Sequence, residues 1–404
     1  MTEKLYYRDP SLLEFDASIR EYTANGSVHE VVLDRTCFFP GGGGQPADKG
    51  NLGNAHVVEV KDRHDEIVHV VDAPPGAVGN RVRGIVDAAR RYDFMAQHTG
   101  QHILSQALLT AGNLPTVSVH FGDETATIEL EATSVEDTVL RAAEELANSI
   151  VGENRQVRIH EVDPKEAGRF PLRRTPPEVG RLRIVEVDSY DWAACSGLHV
   201  AATGRIGLIK IVAQEKIRGR TRLHVLIGGR AMEDYRRKVS TVQTLMRLLT
   251  CAETDIPARV EELARNARES ERELGKVKVE RAATDADAAV QQARNVGNVL
   301  LTARVFDGQG PAYLKAFAER IVAVPGRAVI AIDRSPQAFQ WIVAHSIGDG
   351  IQLPGIISPL LGSLNARGGG RGAWMQGAGH SAGNAEAFGT AVEGALARAF
   401  GGPQ

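Results

Sequence analysis

The sequence predicts an α+β protein of several domains, and three features of its 404 residues lead to that prediction. Short apolar runs separated by turn residues fill the first 88 residues, as in a small β-barrel. The middle of the chain mixes helical and strand patterns, and a charged helical stretch separates it from a last run of strands and helices. We therefore expect a β-barrel-like domain with a Gly-rich loop at 1–88, an α+β domain at 89–230, a charged helical or coiled-coil segment at 231–288 and a Gly-rich C-terminal α/β domain at 289–404.

The composition is that of an ordinary globular protein and excludes a collagen-like or wholly disordered chain, with 43% hydrophobic and 24% charged residues. The formal net charge of −3 means that any nucleic acid must bind a local basic patch. Three cysteines do not form a disulfide framework, and no apolar run approaches the roughly 20 residues that span a bilayer. The charged N-terminus lacks the apolar stretch of a signal peptide, so we expect a cytoplasmic protein without membrane contact.

The first 88 residues contain three strand candidates and one long interruption between the first two. The interruption is the glycine-rich loop 40–46, and glycines allow backbone conformations and close approaches that other residues do not. The strands are expected at 28–33, 55–60 and 67–71.

The middle third is predicted to begin with a long helix at 88–110, which has apolar residues at helical spacing and no proline. A second helix is expected to start at an N-cap formed by Ser134, with Asp137 three residues later, and to end at Ile150. Strands are expected at 116–121, 125–130, 156–162 and 182–187, and 197–226 alternates as a β segment does.

The helical segment carries a heptad-like apolar seam, and 12 of the 21 residues at 261–281 are charged. A solvated amphipathic helix explains this pattern, but the regular seam favours a helical hairpin or a coiled coil through which a homodimer forms. The C-terminal domain is an alternative dimer contact. The seam consists of Ile256, Val260, Leu263, Ala267, Ser270, Leu274 and Val277. Beyond it we expect strands at 327–333 and 340–344 and a helix at 381–400.

Two pairs of metal-binding side chains carry the chemistry of the sequence. His98 and His102 are four residues apart in the first long helix, so their side chains face the same way. Cys195 and His199 are spaced likewise, across a Ser-Gly pair that indicates a loop. Either pair alone is weak evidence, because two histidines on a polar helix face or a buried inert thiol are common.

Together the four residues form a His, His, Cys, His set that suits Zn²⁺. A metalloprotease is disfavoured because Thr99, and not glutamate, follows the first histidine. Four protein ligands favour a structural zinc, whereas chemistry requires an exchangeable position or a substrate group added to the shell.

These residues resemble the editing domain of alanyl-tRNA synthetases and of the free-standing AlaX editing proteins. In that family HxxxH and CxxxH bind one zinc, and the segment from Asp34 to Gly50 is similar to its D-x-T-x-F-Y-P-x-G-G-G-Q-x-x-D-x-G motif. Phe39 replaces the usual tyrosine of that motif, and the run after Cys195 also matches. The resemblance covers about residues 5–230, and it makes 89–230 a zinc-containing editing domain.

The end of the chain resembles the C-terminal domain of alanyl-tRNA synthetase and of DHH-type phosphoesterases, although the catalytic motif of the latter is absent. The order of segments implies the long free-standing form, without an aminoacylation core. The resemblance thus implies a hydrolase that removes a wrong amino acid, chiefly serine, from tRNA(Ala), and it also implies nucleotide and ATP binding.

The resemblance also implies roles for single residues. Thr36 matches the threonine that is placed to hydrogen-bond the serine hydroxyl, a group that alanine lacks, and this role is favoured over that of a strand residue without a function. Gln45 and His120 are further catalytic candidates, and the alternative for His120 is a structural strand histidine. The substrate-binding candidates are Gly41, Gly42, Gly43 and Gly44, whose backbone N–H groups can contact a ligand, and Asp48 of the same segment. The alternative is that this segment is only a surface turn.

Binding of tRNA requires phosphate contacts, and residues 161–230 hold 13 Lys or Arg against 8 Asp or Glu. On one face of a strand the alternating cations Lys216, Arg218, Arg220 and Arg222 form a phosphate stripe, unless they are merely a solvated strand face. A second candidate contact is Arg367, Gly368, Gly369, Gly370 and Arg371.

Three other interpretations stay open from the sequence: a tRNA-binding module with structural zinc, an editing enzyme for another tRNA, since threonyl-tRNA synthetases carry a related domain, and a dimeric scaffold with a decayed site.

Overall fold

The structure is a computed structural model that describes residues 1–401 except 27, 65, 177–179 and 382. The chain divides into two compact units, Met1–Thr244 and Leu245–Gln404. The first unit joins the two domains expected at 1–88 and 89–230, and the finer division into four domains stays a prediction. No helix in the described ranges is long and apolar enough to cross a membrane.

The first unit begins with a closed six-stranded barrel, in the order β2-β3-β7-β6-β5-β8. Alternation along β8 shows how the sequence builds it, since Val82 and Val86 are buried between exposed arginines. The elements are β1 (Glu3–Lys4), α1 (Leu5–Arg8), β2 (Glu14–Asn25), β3 (Val28–Leu33), β4 (Arg35–Thr36), β5 (Gly50–Leu52), β6 (Ala55–Arg63), β7 (Glu66–Val71) and β8 (Arg81–Val86).

The rest of this unit packs two antiparallel sheets, β14-β15-β10-β9 and β11-β12-β13, around a long buried helix, α2. Asp87 caps α2 by accepting a hydrogen bond from the Arg90 amide, and Asn113 ends it in a left-handed conformation. The elements are α2 (Ala88–Gly112), β9 (Thr116–Phe121), β10 (Ala126–Leu130), α3 (Asp137–Gly152), β11 (Val157–Val162), β12 (Leu182–Val187), β13 (Asp191–Ala194), β14 (Ile209–Ile217), β15 (Arg220–Ile227) and α4 (Gly229–Leu249).

One local prediction for this unit is wrong. Helix α3 starts after Glu136, not after Ser134, because Val135 packs against the hydrophobic core and holds the preceding backbone outside the helix. The β segment expected at 197–226 is confirmed from Ile209 onwards, where β14 and β15 form a hairpin, whereas a loop with a short 3₁₀ turn precedes β14.

The second unit is a six-stranded mixed sheet with helices, in the order β16-β17-β18-β19-β21-β20. Only β17 and β18 run parallel, because the connection between them crosses over through α6. The elements are α5 (Ile256–Val290), β16 (Arg294–Val296), β17 (Val299–Asp307), α6 (Pro311–Val322), β18 (Arg327–Arg334), β19 (Ala338–His345), α7 (Leu353–Leu361), β20 (Ala366–Arg371), β21 (Trp374–His380) and α8 (Asn384–Phe400).

Helix α5 is 35 residues long and buries only its C-terminal part. Ala282, Ala286 and Ala289 lie in the same hydrophobic cluster as residues of α6, whereas the earlier turns are exposed. The α+β class is therefore confirmed, while the coiled coil stays a prediction. The helix expected at 381–400 begins at Asn384, and residue 382 lies outside the described residues.

Candidate metal centre

The four predicted ligands converge in the first unit. His98 and His102 lie one turn apart in the buried middle of α2, and Cys195 and His199 lie in the loop after β13. One ligand atom from each residue lies within 4.8 Å of the others. The tertiary structure thus joins two local pairs that are about 100 residues apart in the chain.

Gln45 of the glycine-rich loop holds the ring of His98. Its Oε1 accepts hydrogen bonds from His98 Nδ1 at 3.0 Å and from the amide of Leu198 at 3.0 Å. A proton on Nδ1 leaves His98 Nε2 unprotonated, and this atom lies 3.2 Å from Cys195 Sγ. Gln45 therefore orients a predicted metal ligand, and its expected catalytic role stays a prediction.

Thr99 performs the same task for His199. Its hydroxyl donates to the Met95 carbonyl at 2.9 Å and accepts the amide of Val200 at 3.1 Å. Since its one proton is used, it accepts from His199 Nδ1 at 3.1 Å. His199 Nε2 is then a buried acceptor without a hydrogen-bond partner, as a metal ligand must be.

Asp191 stands behind His102. An oxygen of its buried carboxylate lies 3.6 Å from His102 Nδ1, and Arg173 pairs with both carboxylate oxygens. This carboxylate–histidine arrangement is the usual outer partner of a metal-binding imidazole. Burial opposes ionisation of Asp191, but His102 and Arg173 lower its pKa below the usual value.

The electrostatics of the cluster favour a thiolate. Burial alone raises the pKa of Cys195, but the three surrounding imidazoles lower it well below its ordinary value. The pKa of His102 rises to about 9 despite burial, because Asp191 and Cys195 stabilise its cation. The pKa of His199 falls to about 3, chiefly through burial and the neighbouring His98.

The donor set fits a zinc ion. Three imidazole nitrogens and one thiolate match the ligands and number of a tetrahedral zinc site. Hydrogen bonds behind the rings of His98 and His199 leave their Nε2 atoms free, and the Asp191 carboxylate lies behind the His102 ring. The cluster is consistent with the expected Zn²⁺.

A cavity of about 1000 Å³ opens beside the cluster, with His98, His102 and Cys195 in its wall. The tip of the glycine-rich loop, Gly43 and Gly44, and residues 116–119 of β9 also line it. Arginines form much of the remaining wall: Arg173, Arg174, Arg181 and Arg183.

The glycine-rich loop requires its glycines. Gly41 to Gly44 all have positive φ, and a Cβ at Gly43 would lie 3.1 Å from His98 Cε1 and 3.2 Å from Cys195 Sγ. At Gly42 it would lie 3.1 Å from Ser196 Oγ. The loop backbone therefore packs directly against the cluster, as close approach to a ligand requires.

Three candidates lie elsewhere than expected. Thr36 is fully buried, and its hydroxyl donates to His69 Nε2 at 2.8 Å and accepts the Phe38 amide at 3.0 Å, so it does not line the cavity. Asp48 accepts the Phe39 amide at 2.7 Å and pairs with buried Arg91, contacts that support the loop, and its role in substrate binding stays a prediction.

The third candidate, His120, lies on the exposed face of β9. The ring of Phe121 contacts Gly44 and His98, and Val119 packs in the same cluster as Phe121, so strand alternation turns His120 the other way. Its catalytic role stays a prediction.

The expected phosphate stripe is interrupted by the turn of the β14–β15 hairpin at Arg218 and Gly219, both with positive φ. Lys216, Arg218 and Arg220 are exposed around that turn. Arg222 instead pairs with Glu129 at 2.6 Å. The stripe is therefore a hairpin tip with three exposed cations.

The second basic candidate is an edge strand. Residues 366–371 form β20, which pairs with β21 alone and is exposed along most of its length. Gly368 has no room for a side chain, because a Cβ there would overlap the ring of Trp341. Arg367 and Arg371 begin and end this exposed glycine run, so the strand keeps the placement that phosphate contact requires.

Sequence reasoning missed Thr99 and Asp191, which hold two of the ligands. Thr99 stands between the two histidines of α2, and Asp191 precedes Cys195 by four residues. Both residues are close in sequence to a predicted metal ligand, and this was the available signal. Closeness in sequence does not show which ring nitrogen a residue contacts.

Comparisons with known proteins find relatives of this chain. Residues 182–223 match the family model of the threonyl and alanyl tRNA synthetase second additional domain. The chain is similar to the alanyl-tRNA editing protein AlaX-L of Pyrococcus horikoshii, at 28% identity over 92% of this chain and 93% of that protein. The predicted resemblance to the AlaX editing proteins is thereby confirmed.

Alanine–tRNA ligases are also similar to this chain. That of Halorubrum lacusprofundi is 30% identical over 76% of this chain and 34% of the ligase, and that of Natronomonas pharaonis is 34% identical over 64% and 29%. The chain thus spans about a third of the length of these ligases. Among solved structures, the C-Ala domain of Aquifex aeolicus alanyl-tRNA synthetase matches at 23% identity, covering 27% of this chain and 98% of that domain, with a TM-score of 0.24, too low to bear on the fold.

Proposed function

We propose that this chain hydrolyses the ester bond of mischarged tRNA(Ala), with serine as the principal amino acid removed. The observation that carries the proposal is the four-ligand cluster whose wall opens into a large, arginine-lined cavity. The similarity to AlaX-L over nearly the whole chain supports the same reaction class. Expected cytoplasmic location and ATP binding stay predictions.

The residues divide the work as follows. A zinc ion held by His98, His102, Cys195 and His199 would supply positive charge that polarises or orients an oxygen of the substrate. Gln45, Thr99 and Asp191 fix the three imidazole rings. The cavity has room for a terminal nucleoside and its amino acid, and water is the attacking group.

The glycine-rich loop brings backbone against the bound ester. Gly42 and Gln45 exchange two backbone hydrogen bonds of 3.0 Å, which places Gly43 and Gly44 at the tip of a tight turn. Amides presented in this way stabilise charge on a carbonyl oxygen during ester hydrolysis. The buried Thr36–His69 pair supports the turn, because the Thr36 hydroxyl accepts the amide of Phe38, two residues before the loop.

The first experiment measures release of serine and of alanine from purified tRNA(Ala), together with the zinc content of the chain. We expect serine release with alanine spared, at about one zinc per chain. Cys195→Ser is expected to lose both zinc and serine release, because the thiolate is a ligand. Cys251→Ser is the matched control, since Cys251 lies in the second unit and outside the cluster.

The open alternatives make different predictions in the same experiment. A chain that binds zinc and tRNA(Ala) but releases no amino acid is a binding module with structural zinc. Faster release from mischarged tRNA(Thr) than from tRNA(Ala) indicates editing of another tRNA. A chain without zinc is the decayed scaffold, and the convergence of all four ligands argues against it.

A further inference from the structure

Arg183 lies in the wall of the cavity beside the metal ligands. Its Nε and Nη2 atoms are buried without a hydrogen-bond acceptor. No carboxylate lies within ion-pair distance of it among the described residues, although Glu161 is its cross-strand neighbour on β11. Buried donors of a cation without acceptors are costly, so such a group indicates an anion that is not part of the chain.

The guanidinium of Arg183 is held in one orientation. Its Nη1 donates to the carbonyl of Gly197, in the loop between Cys195 and His199. The guanidinium carbon, Cζ, lies 4.8 Å from the centre of the Tyr7 ring. The Tyr7 hydroxyl in turn donates to the Ser196 carbonyl at 3.2 Å. These contacts leave free the Nε–Nη2 edge, the side of the fork that binds two oxygens of one oxyanion.

The other arginines of this wall are less suited to that task. Arg173 forms an ion pair with Asp191, and Arg181 lies 3.8 Å from Glu161. Arg174 and Arg181 are both exposed, so water competes for their donors. Burial also lowers the pKa of Arg183, although Tyr7, Cys195 and Glu161 act in the opposite direction.

The chemistry of the proposed substrate indicates which anion Arg183 binds. This step rests on the proposed function: in an aminoacyl-tRNA the carboxyl group is esterified and the α-amino group is cationic, so phosphodiesters supply the oxyanions. We propose that Arg183 binds, through its Nε–Nη2 edge, the phosphodiester that precedes the 3′-terminal nucleotide of the acceptor end. Arg183 is thus a substrate-binding residue that sets how far the ester enters the cavity.

The test uses a minihelix of the tRNA(Ala) acceptor stem, with its last phosphodiester either native or replaced by an uncharged methylphosphonate. The protein is the full chain, as wild type, Arg183→Gln, Arg183→Lys and the control Arg158→Gln. Arg158 is an exposed arginine of β11 that pairs with Asp188 at 2.8 Å and does not line the cavity. Binding of the unacylated minihelix and kcat/KM for seryl-minihelix are both measured, with zinc content.

We expect Arg183→Gln to weaken binding of the native minihelix about 10- to 100-fold, the range for a hydrogen-bonded charged contact. The methylphosphonate should weaken wild-type binding equally, and the two changes together should cost no more than either alone. The affinity of Arg183→Lys for the native minihelix should lie between those of wild type and Arg183→Gln, because lysine keeps the charge but not the paired donors of the guanidinium. Arg158→Gln should bind as wild type does.

If the losses of affinity multiply when Arg183→Gln binds the methylphosphonate minihelix, the proposal is overturned. Unchanged binding of the native minihelix by Arg183→Gln that retains its zinc would also overturn it. A loss confined to kcat, equal for both linkages, would assign Arg183 to the oxyanion of the reaction instead. If Arg183→Gln loses zinc, Arg183→Lys decides by the same comparison of linkages. A wild-type chain that binds the minihelix but releases no serine would contradict the proposed function while the binding comparison still decides the role of Arg183.

Discussion

At the scale of single residues, the site depends on contacts behind the ligands as much as on the ligands. Gln45, Thr99 and Asp191 each engage a different histidine on the nitrogen that faces away from the cluster. Such outer partners typically change metal affinity about 10- to 100-fold when they are replaced. The glycine-rich loop adds a steric condition at Gly43, where nothing larger than hydrogen fits without displacing a ligand.

Gly43→Ala is expected to lower zinc affinity and to slow serine release at least about 10-fold, because the new methyl group would displace His98 or Cys195. Zinc affinity is measured by competition with a chelator. The matched control is Gly26→Ala: Gly26 has φ +63° against +61° at Gly43, but open space at its Cβ. Equal zinc affinity in both variants would contradict the steric argument.

His69 is expected to make the barrel less stable in mild acid. Burial lowers its pKa from 6.5 to about 4, so the unfolded chain binds its proton more readily than the folded one. The free energy of unfolding is therefore unaffected by this group above about pH 6.5. It falls by about 3 kcal/mol as the pH falls towards 4.

Amide protection factors of β3 and β7, measured by hydrogen–deuterium exchange at several pH values, check this. His69→Gln retains a hydrogen-bonding side chain without a titrating ring, so its β3 and β7 protection should vary less between pH 4 and 6.5. An unchanged pH profile in that variant would assign the effect to other groups.

At the scale of elements, one hairpin changes the meaning of a charge pattern. Alternate cations along 216–222 face the same way only in a continuous strand, and the turn at Arg218 divides them between β14 and β15. Arg222 then meets Glu129 on the neighbouring strand, and three exposed cations are left at the tip.

The hairpin tip is expected to contribute to tRNA binding by charge alone. Replacing Lys216, Arg218 and Arg220 with glutamine should reduce the slope of log affinity against log salt concentration by roughly 2 to 3, because three phosphate contacts are lost. Binding of tRNA(Ala) is measured between 50 and 200 mM salt, roughly the range over which such contacts weaken most.

The control for the tip is a triple variant of the same composition in the barrel, Lys61, Arg63 and Arg83 to glutamine, each of them ion-paired with a glutamate. An equal change of slope in both triple variants would show a general effect of net charge and no contact at the tip.

At the scale of the whole molecule, the two units carry different evidence. The first holds the complete ligand cluster, and its chemistry can be argued contact by contact. The second exposes an apolar seam along the N-terminal turns of α5, where Val260, Leu263, Leu274 and Val277 are each about half exposed. An exposed seam of heptad spacing is typical of a helix that pairs with another helix.

We expect the chain to dimerise through this seam, and Leu274→Lys to shift it towards monomer, since a charge would be buried in the contact. Sedimentation equilibrium measures the change. Glu269→Lys introduces the same residue on the exposed surface of α5, away from the seam, and should leave the dimer intact. A wild-type chain that sediments as a monomer at all concentrations would refute the dimer.

The sequence by itself determined what depends on local spacing. Apolar periodicity predicted α2 nearly to its ends, and the i, i+4 spacing alone was enough to place His98 and His102 on one side of that helix. The Cys195–His199 pair and the motif of the glycine-rich loop were likewise local, which is why the ligand set and the α+β class were predictable.

Only the tertiary structure decided which side chains meet and in what orientation. Thr36 is sealed in the barrel by His69, a residue 33 positions away, and His120 points away from the cluster because of the face that β9 presents. The unpaired edge of Arg183 likewise depends on Gly197 and Tyr7, which reach it from other parts of the chain. Spacing fixes neighbours along one helix or strand, but burial and hydrogen-bond partners depend on packing between distant segments, which no local pattern encodes.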